Sequence, residues 1–434
     1  MALAPNEKSS AFTAMTATYY KVDSLRGGTA AMRAASQTLL PKHPEEAIEN
    51  YTKRLSTSTL VNYYSKAIDD AVGRAFQKEL KVENLPAALT PLLLDIDGAG
   101  STLEQFGQEA LWNTIHHGVH FIIADYPALD VLPVTLADAA DLSARPYLTT
   151  LEAPQVLAAY SKVENGVERL VHFRWHGCET VMGDEGLSET KVQIVKAYNQ
   201  PDKGGEITLT TWKLLDGGWT KFDPVTIIGV TEIPVVPVYG WRTGYCTGKP
   251  VLSDLADLNI AHWQSLSEQT HILSVARVPF LHVAGDNLNS VTANSDGSST
   301  VSPFQLSVHS AAITPTGTTI KWVETAGVSI DAGAKNIEYL EAKMSEQSLT
   351  MAESSTSGTA TATATAINAA EAHAVLKSLC VAFGQSLSKA LFFLSEFAGT
   401  PAPTVKVALD LTVDVPTATP ATAAQDQQTS VQQQ

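Results

Sequence analysis

Apolar positions recur at helical spacing in the first part of the chain. Between residues 60 and 76 they fall three or four positions apart, as in Leu60, Tyr64, Ile68 and Val72, which predicts one buried helical face. The segment LPKHPEEAIENYTKRL upstream is also predicted to be helical. Its Pro44 suits a first helical turn, and the acidic residues that follow suit the positive end of a helix dipole. Residues 1–39, rich in Ala, Ser and Thr, are expected to be loosely held.

The pattern changes to short β-branched and aromatic segments from about residue 119 to residue 240. Gly, Asp and Pro separate VHFIIADYP, RLVHFRW, KVQIVKAYN, GEITLTTWKLL and VTIIGVTEIPVVPVYGW. Alternation within the fourth segment puts Ile207, Leu209 and Thr211 on one face. Helices followed by a mostly antiparallel sheet predict an α+β fold for residues 1–250.

Two long helices are predicted further along, at about residues 253–277 and 329–351, with Ser253 as N-cap of the first. Short strands and the polar loop GDNLNSVTANSDGSST separate them, so the helices can lie antiparallel with this insert at their far end. Each carries only a modest apolar stripe, so the pair has to pack on neighbours. The Thr/Ala tract ESSTSGTATATATA follows, then a third helix from about Ile367 to Phe397.

Charge and composition narrow the function classes. The 434 residues carry 29 Lys+Arg and 45 Asp+Glu, a net charge of −16 that argues against a protein that grips DNA. The part after Arg277 has no Arg, six Lys and thirteen Asp+Glu. The three cysteines form no C-x-x-C pair, and neither a signal peptide nor an apolar run of about 18 residues is evident, so no membrane span is expected.

One motif suggests metal chemistry. HHGVH places His116 and His120 at i, i+4 on one helical face, a known metal-binding spacing, but the Glu of a zinc-hydrolase motif is absent. A structural or interface role is favoured, and a metal-assisted hydrolase that uses this pair is the alternative.

Other candidate motifs are incomplete. GWRTGYCTGKP lacks the first Gly and the hydroxyl residue of a P-loop, and its Cys246, near Arg242 and Lys249, has no identifiable partner base. DIDGAGSTLEQF lacks the ligands of a calcium loop and is interpreted as a turn before a helix capped by Ser101 and Glu104. No G-x-S-x-G elbow occurs. We therefore predict no catalytic residue, no metal and no cofactor, and a protein that is not an enzyme.

Several segments together carry a family resemblance. LPKHPEEAIENYTKRL, DIDGAGSTLEQFGQEAL, KPVLSDLADLNIAHWQSLSEQTHILSVARVPFLHVAG and VETAGVSIDAGAKNIEYLEAKM, followed by a Thr/Ala tract and a long helix, resemble the portal (head-to-tail connector) proteins of tailed double-stranded DNA bacteriophages. The resemblance covers roughly residues 40–410. It implies a ring, usually a dodecamer, with an α/β wing, a two-helix stem, a small α/β clip and a helical crown around an axial channel.

The resemblance also implies a division of the chain. The expected parts are an N-terminal arm (1–39), wing (40–250), first stem helix (251–277), clip (278–326), second stem helix (327–352), channel loop (353–366), wing/crown helix and strand (367–412) and disordered tail (413–434). The channel-loop residues facing DNA are expected to be Ser354, Ser355, Thr356, Thr359, Thr361 and Thr363. The clip contacts are expected to be Asp286, Asn287, Asn289 and Asp296.

The implied function is passage of double-stranded DNA into and out of a capsid at one vertex. The expected partners are further copies of the chain, the major capsid protein, the terminase large subunit, a head-to-tail adaptor and DNA without sequence-specific binding. The expected location is the virion, and the host cytoplasm during assembly. Another virion structural protein is a further alternative.

Overall fold

The computed structural model describes residues 4–127, 144–183, 186–277, 280–284, 290–293, 299–302, 319–323, 327–352 and 362–411. Within them, all paired strands are antiparallel. Helices pack on one face of a small sheet and a larger sheet packs on its other face, which confirms the α+β prediction.

The first helices lie where a loose segment was expected. Helix α1 spans Ser10–Arg26 and α2 spans Gly28–Ala34. Their apolar side chains Tyr19, Leu25 and Met32 are buried, so the prediction of a loosely held segment is wrong for these residues. The apolar spacing was present, but the Ala, Ser and Thr between these residues obscured it.

Three further helices precede the sheets: α3 (Ile48–Thr57), α4 (Tyr63–Ala75) and α5 (Leu103–His117). Pro44 was predicted in the first turn of this helix, but it lies in a non-helical turn that precedes α3. The helix therefore begins later than predicted. The capping box of α5 is Thr102 with Gln105, one residue beyond the predicted pair, and both pairs satisfy the same sequence pattern.

Two sheets follow. The small sheet has the order β10-β2-β3, and the large sheet has the order β4-β5-β6-β7-β8, with β9 also paired to β7. Their strands are β2 (Val119–Asp125), β3 (Tyr147–Glu152), β4 (Val156–Glu164), β5 (Val167–Met182), β6 (Glu189–Asn199), β7 (Ile207–Leu215), β8 (Gly218–Lys221), β9 (Val225–Ile227) and β10 (Val235–Tyr239). In β7, Ile207 and Leu209 contact the core as predicted, whereas the more buried threonine is Thr210, not Thr211.

Strand β2 divides its side chains between two cores. Ile122 and Ala124 pack into the core formed by the helices, whereas Phe121 and Ile123 pack into a second core against the large sheet. Successive side chains of a strand point to opposite faces of the sheet, so both faces of β2 are covered, each by a different core. The small sheet therefore joins the helical body to the large sheet.

The long helices are α6 (Ser253–Ala276), α7 (Val328–Ala352) and α8 (Ala362–Phe397). Helices α6 and α7 match their predicted positions, whereas α8 ends as predicted but begins earlier. The remaining strands are β1 (Lys81–Glu83), β11 (Arg242–Gly244), β12 (Thr247–Gly248), β13 (Phe280–Ala284), β14 (Ser290–Ala293), β15 (Ser299–Ser302), β16 (Thr319–Val323) and β17 (Lys406–Ala408).

Helix α8 contains the one segment among the described residues that is long and apolar enough to cross a membrane, Ala374–Phe397. Just over half of it is buried, and Leu376, Phe383, Leu387 and Leu391 fill the helical core. The core helix of a folded protein can be equally long and apolar. Packing inside the protein therefore explains the apolar character of this segment.

Candidate functional site

Helices α6 and α7 form an antiparallel pair, which we call the long hairpin. Three polar contacts between the helices show the antiparallel arrangement, because the residue number increases along α6 while that of its partner in α7 decreases. These are His262 Nε2 to Glu341 Oε1 at 3.2 Å, Asn336 Nδ2 to Ser265 Oγ at 3.3 Å, and Gln269 Nε2 to the Ile330 carbonyl at 2.9 Å. Strands β13 and β16, which continue from the far ends of the two helices, pair with each other. These two described strands of the insert therefore lie at the far end of the helices, where the insert was predicted.

The base of the long hairpin is fixed to the body. Leu255, Ile260 and Trp263 belong to the helical core. The Asn259 side chain accepts a hydrogen bond from the Tyr64 amide at 3.0 Å and donates one to the Val61 carbonyl at 2.8 Å. Both amide atoms of a buried side chain are thus paired, which fixes the angle at which α6 leaves the body.

The far half of the long hairpin has little cover from its own chain. No described side chain of α6 is buried beyond Gln269, and in the described part of α7 only Leu340 and Met344 are buried. Ile272 is 43% exposed and Tyr339 is 59% exposed. At 1.5 Å per residue, the seven residues of α6 after Gln269 extend about 10 Å. The hairpin therefore projects from the body with apolar side chains uncovered.

The long hairpin is acidic. Helix α6 contains three Asp or Glu residues and no Lys or Arg, and α7 contains four Asp or Glu and two Lys. Some of these charges are paired, since Asp257 contacts Lys21 and Glu346 contacts Lys343. The excess is negative, so the surface repels a polyanion.

The structure changes the extent of the predicted channel loop. Helix α8 begins at Ala362, so Thr363 lies in its first turn, and the prediction of a loop over residues 353–366 is wrong from that point. The small side chains of the tract are compatible with a helix because Ala has the highest helix propensity. The other five predicted loop residues, Ser354, Ser355, Thr356, Thr359 and Thr361, lie outside the described residues, as do the four predicted clip contacts, Asp286, Asn287, Asn289 and Asp296.

The HHGVH motif is not one helical face. Helix α5 ends at His117, Gly118 follows with a left-handed φ of 79°, and His120 lies on β2. The placement of His116 and His120 on one helical face, on which the alternative of a metal site depended, is therefore wrong, because the helix ends before His120. His120 is fully buried, and burial lowers its pKa to about 3. Sequence reasoning treated the Gly as part of the helix instead of its end.

The motif instead converges on an aspartate from α1. Asp23 Oδ1 lies 2.9 Å from His116 Nε2 and 3.0 Å from His117 Nε2, and Tyr64 Oη lies 3.1 Å from His116 Nδ1. Burial opposes ionisation of Asp23, but hydrogen bonds from both histidines outweigh it and hold the pKa of this carboxyl below its usual range. Burial also lowers the pKa of His116. Asp23 is 93 positions from His116, so no sequence signal could have joined them.

The other candidate motifs have structural roles. Cys246 is buried, and burial raises its pKa to about 12, so the thiol is not activated by its basic neighbours. Asp95 and Asp97 accept backbone hydrogen bonds within their own turn, from the Gly100 and Ala99 amides at 2.8 Å each. Asp95 also pairs with Arg145. These carboxylates are occupied by the turn that precedes α5, as predicted.

Comparison with known proteins adds three findings. Residues 251–398 match a family described as a domain of unknown function, DUF4055. This match spans the long hairpin, its insert and the whole of α8. No curated protein sequence matches the chain.

Two solved structures are similar at 13% identity. One, titled as the virion of a native gene transfer agent particle, has a TM-score of 0.38 over 90% of this chain and 89% of the other. The second, titled as the neck of an empty gene transfer agent particle computed with C6 symmetry, has a TM-score of 0.39 over 86% of each chain.

Proposed function

We propose that this chain is the subunit of a portal ring, through which double-stranded DNA enters and leaves a capsid at one vertex. The observation that carries the proposal is the long hairpin. It leaves the body as an antiparallel helix pair whose outer half has almost no buried side chains. Copies arranged side by side in a closed ring would cover Ile272 and Tyr339 with neighbouring hairpins.

The charge of the hairpin suits a DNA conduit. Binding to DNA through many Lys or Arg contacts with phosphates is strong and salt-dependent, and would hold the duplex in place. Seven acidic and two basic residues on α6 and α7 avoid such trapping. DNA would pass through without sequence-specific binding, driven by a separate motor protein.

The remaining partners follow from this arrangement. The insert at residues 278–326 would form the clip, which docks the terminase large subunit during packaging and a head-to-tail adaptor later. The body, with the large sheet as wing and α8 towards the crown, would contact the major capsid protein. The protein would act in the virion after assembly in the host cytoplasm, with no catalytic step of its own.

The oligomeric state tests the proposal directly. Native mass spectrometry and negative-stain microscopy of the purified chain should show rings with a central opening. Tyr339→Glu combined with Ile272→Glu should shift the population to monomers, because it introduces charges where neighbours would cover apolar side chains. Met182→Glu, at an exposed apolar residue of the large sheet, is the matched control and should leave the rings intact.

A persistent monomer under all conditions would contradict the proposal. Stacked tubes or shells in place of closed rings would favour the alternative of another virion structural protein. Removal of residues 354–360 tests the channel loop separately. Rings should still form, but packaging or retention of DNA should fail, and unchanged packaging would show that this segment does not act on DNA.

A further inference from the structure

We propose that Asp23, His116 and His117 bind one Zn²⁺ ion at the junction of α1 and α5. The three donor atoms, one carboxylate oxygen and two imidazole nitrogens, all lie within 4.8 Å of one another. Both histidines are fully buried, and the Asp23 side chain is 44% exposed. This inference does not depend on ring formation.

The spacing of the donor atoms is close to that of a zinc site. A tetrahedral zinc ion with bonds of 2.0–2.1 Å holds its donors about 3.3 Å apart. Asp23 Oδ1 lies 2.9 Å from one Nε2 atom and 3.0 Å from the other. For these two pairs, a movement of a few tenths of an ångström would bring the donors to coordination spacing, and the donor atoms of the two histidines lie within 4.8 Å of each other. One carboxylate and two imidazoles form a donor set that Zn²⁺ accepts.

Tyr64 orients His116 for coordination through Nε2. A metal bound through Nε2 would replace the hydrogen bond from that atom to Asp23 and needs its lone pair, so in the metal-bound state the ring proton of the neutral imidazole has to be on Nδ1. Tyr64 Oη lies 3.1 Å from Nδ1 and can accept this proton's hydrogen bond, while its own hydroxyl donates to the His116 carbonyl at 3.3 Å. A partner on the second ring nitrogen is a regular feature of histidine ligands.

The local charges permit a cation at this place. Arg26 is the nearby cation that acts on His116, but its guanidinium donates to Glu152 Oε1 at 3.1 Å and to Asn113 Oδ1 at 3.2 Å. It also lies over the Trp112 ring. Its charge is thus partly balanced by a carboxylate. The exposed side of Asp23 leaves access for solvent, which would supply a fourth ligand.

The site would have a mechanical role. Asp23 comes from α1, the two histidines from the end of α5, and the orienting Tyr64 from α4. One ion would hold the N-terminal helix to the body at the point where α5 turns into β2. His120 does not take part, because it lies on β2 beyond Gly118.

Zinc content and affinity of the full chain test the proposal. Elemental analysis after removal of loosely bound metal should find one Zn²⁺ per chain, and loading should raise the melting temperature. His117→Gln and Asp23→Asn keep side-chain size and polarity and should abolish stoichiometric binding. Tyr64→Phe should weaken binding about 10- to 100-fold, because it removes only the group that orients a ligand.

His172→Gln is the matched control, since His172 is a partly buried histidine whose Nδ1 contacts Asn199 at 2.6 Å in the large sheet. It should leave zinc binding unchanged. A wild-type chain that binds no zinc, or zinc binding that persists in His117→Gln, would overturn the proposal. Circular dichroism of each variant separates lost binding from lost folding, and Tyr64→Phe keeps the test valid if a ligand variant does not fold.

Discussion

A buried ion pair holds the chain that leads into α3. Arg54 is 2% exposed and binds both oxygens of Glu46, at 2.9 Å and 2.8 Å, as well as the Pro41 carbonyl at 3.0 Å. It also reaches Ser267 Oγ of the long hairpin at 3.4 Å. The bidentate contact is the strong form of a charged hydrogen bond. This pair therefore links the segment before α3 to α6.

Loss of one partner should be costly. Arg54→Met removes the guanidinium and leaves the Glu46 carboxylate buried without its cation, which should destabilise the protein by about 3–5 kcal/mol. Chemical denaturation measures the difference. The double variant Arg54→Met, Glu46→Leu removes both charges and should recover a large part of the loss. A single variant as stable as wild type would show that the pair is not buried in solution.

The same pair predicts a pH dependence. The hydrogen bond from Arg54 lowers the pKa of Glu46 from an ordinary value of 4.5 to about 2. A carboxyl whose pKa is lowered by folding stabilises the folded state above its unfolded pKa, and this contribution is lost as the pH falls from about 4.5 to about 2. Unfolding measured across this range should show a smaller loss of stability for Glu46→Gln than for wild type. Equal pH profiles would contradict the assignment.

Single residues show what a sequence can and cannot reveal. Asp95 and Asp97 were interpreted as turn residues, and their hydrogen bonds lie within that turn, because such contacts are local. The convergence of Asp23 on His116 and His117 depends on how α1 packs against α5. No local pattern records such packing, so the cluster could only be found in three dimensions.

At the scale of elements, Gly118 decides where α5 ends and β2 begins. Its φ is 79°, and a Cβ on this residue would overlap the backbone carbonyl of Lys249. Its own carbonyl accepts hydrogen bonds from the amides of Gly240 and Trp241, at 2.9 Å and 3.1 Å. The conformation and the close approach both require glycine here.

Substitution of glycine by alanine is expected to have opposite effects on stability at two positions. Gly118→Ala should destabilise the protein by about 2–5 kcal/mol, through left-handed strain and overlap with neighbouring backbone. Gly73→Ala should stabilise it by about 0.5 kcal/mol, because Gly73 is exposed in the last turn of α4 with open space around it. Thermal unfolding of both variants measures the contrast. A tolerated Gly118→Ala would show that the chain does not approach itself there.

Long helices were the predictable elements even where the apolar stripe is modest. Helices α6 and α7 lie within one or two residues of their expected bounds, because a modest stripe that continues over 24 and 25 residues still marks a helix. Helix α8 begins five residues earlier than expected, since an Ala/Thr tract has no apolar periodicity to mark its start. Helix α3 begins later than predicted. Glu46 accepts a hydrogen bond from the Arg54 side chain and does not lie in the first turn of a helix.

At the scale of the whole molecule, the acidic long hairpin leads to a prediction about DNA. Asp331→Lys with Glu338→Lys, both on exposed positions of α7, should convert weak association into binding that weakens steeply with salt. Each phosphate neutralised by a lysine adds about 0.9 to the slope of log affinity against log salt concentration. Filter binding or sedimentation of linear duplex over a salt series measures this slope.

A control pair tests whether position or total charge matters. Glu49→Lys with Glu109→Lys makes the same change in charge at exposed positions of α3 and α5. If the long hairpin lines a channel, the control rings should bind DNA less strongly than the hairpin variant. Equal binding by both variants would mean that the hairpin does not face the duplex.

The pairing of β1 with β17 has a consequence for the order of folding. Val82 faces Val407 in this pair, and Lys81 contacts Asp410, a residue 329 positions away, at 3.3 Å. The helical core also takes Leu376, Phe383 and Leu391 from α8, and Val407 from β17. During synthesis, the core of the early helices therefore stays incomplete until the residues of α8 and β17, several hundred positions later in the chain, have been made. Contacts of such long sequence separation fold slowly. Because α8 follows the long hairpin in the chain, the body can be completed only after the whole hairpin has been synthesised.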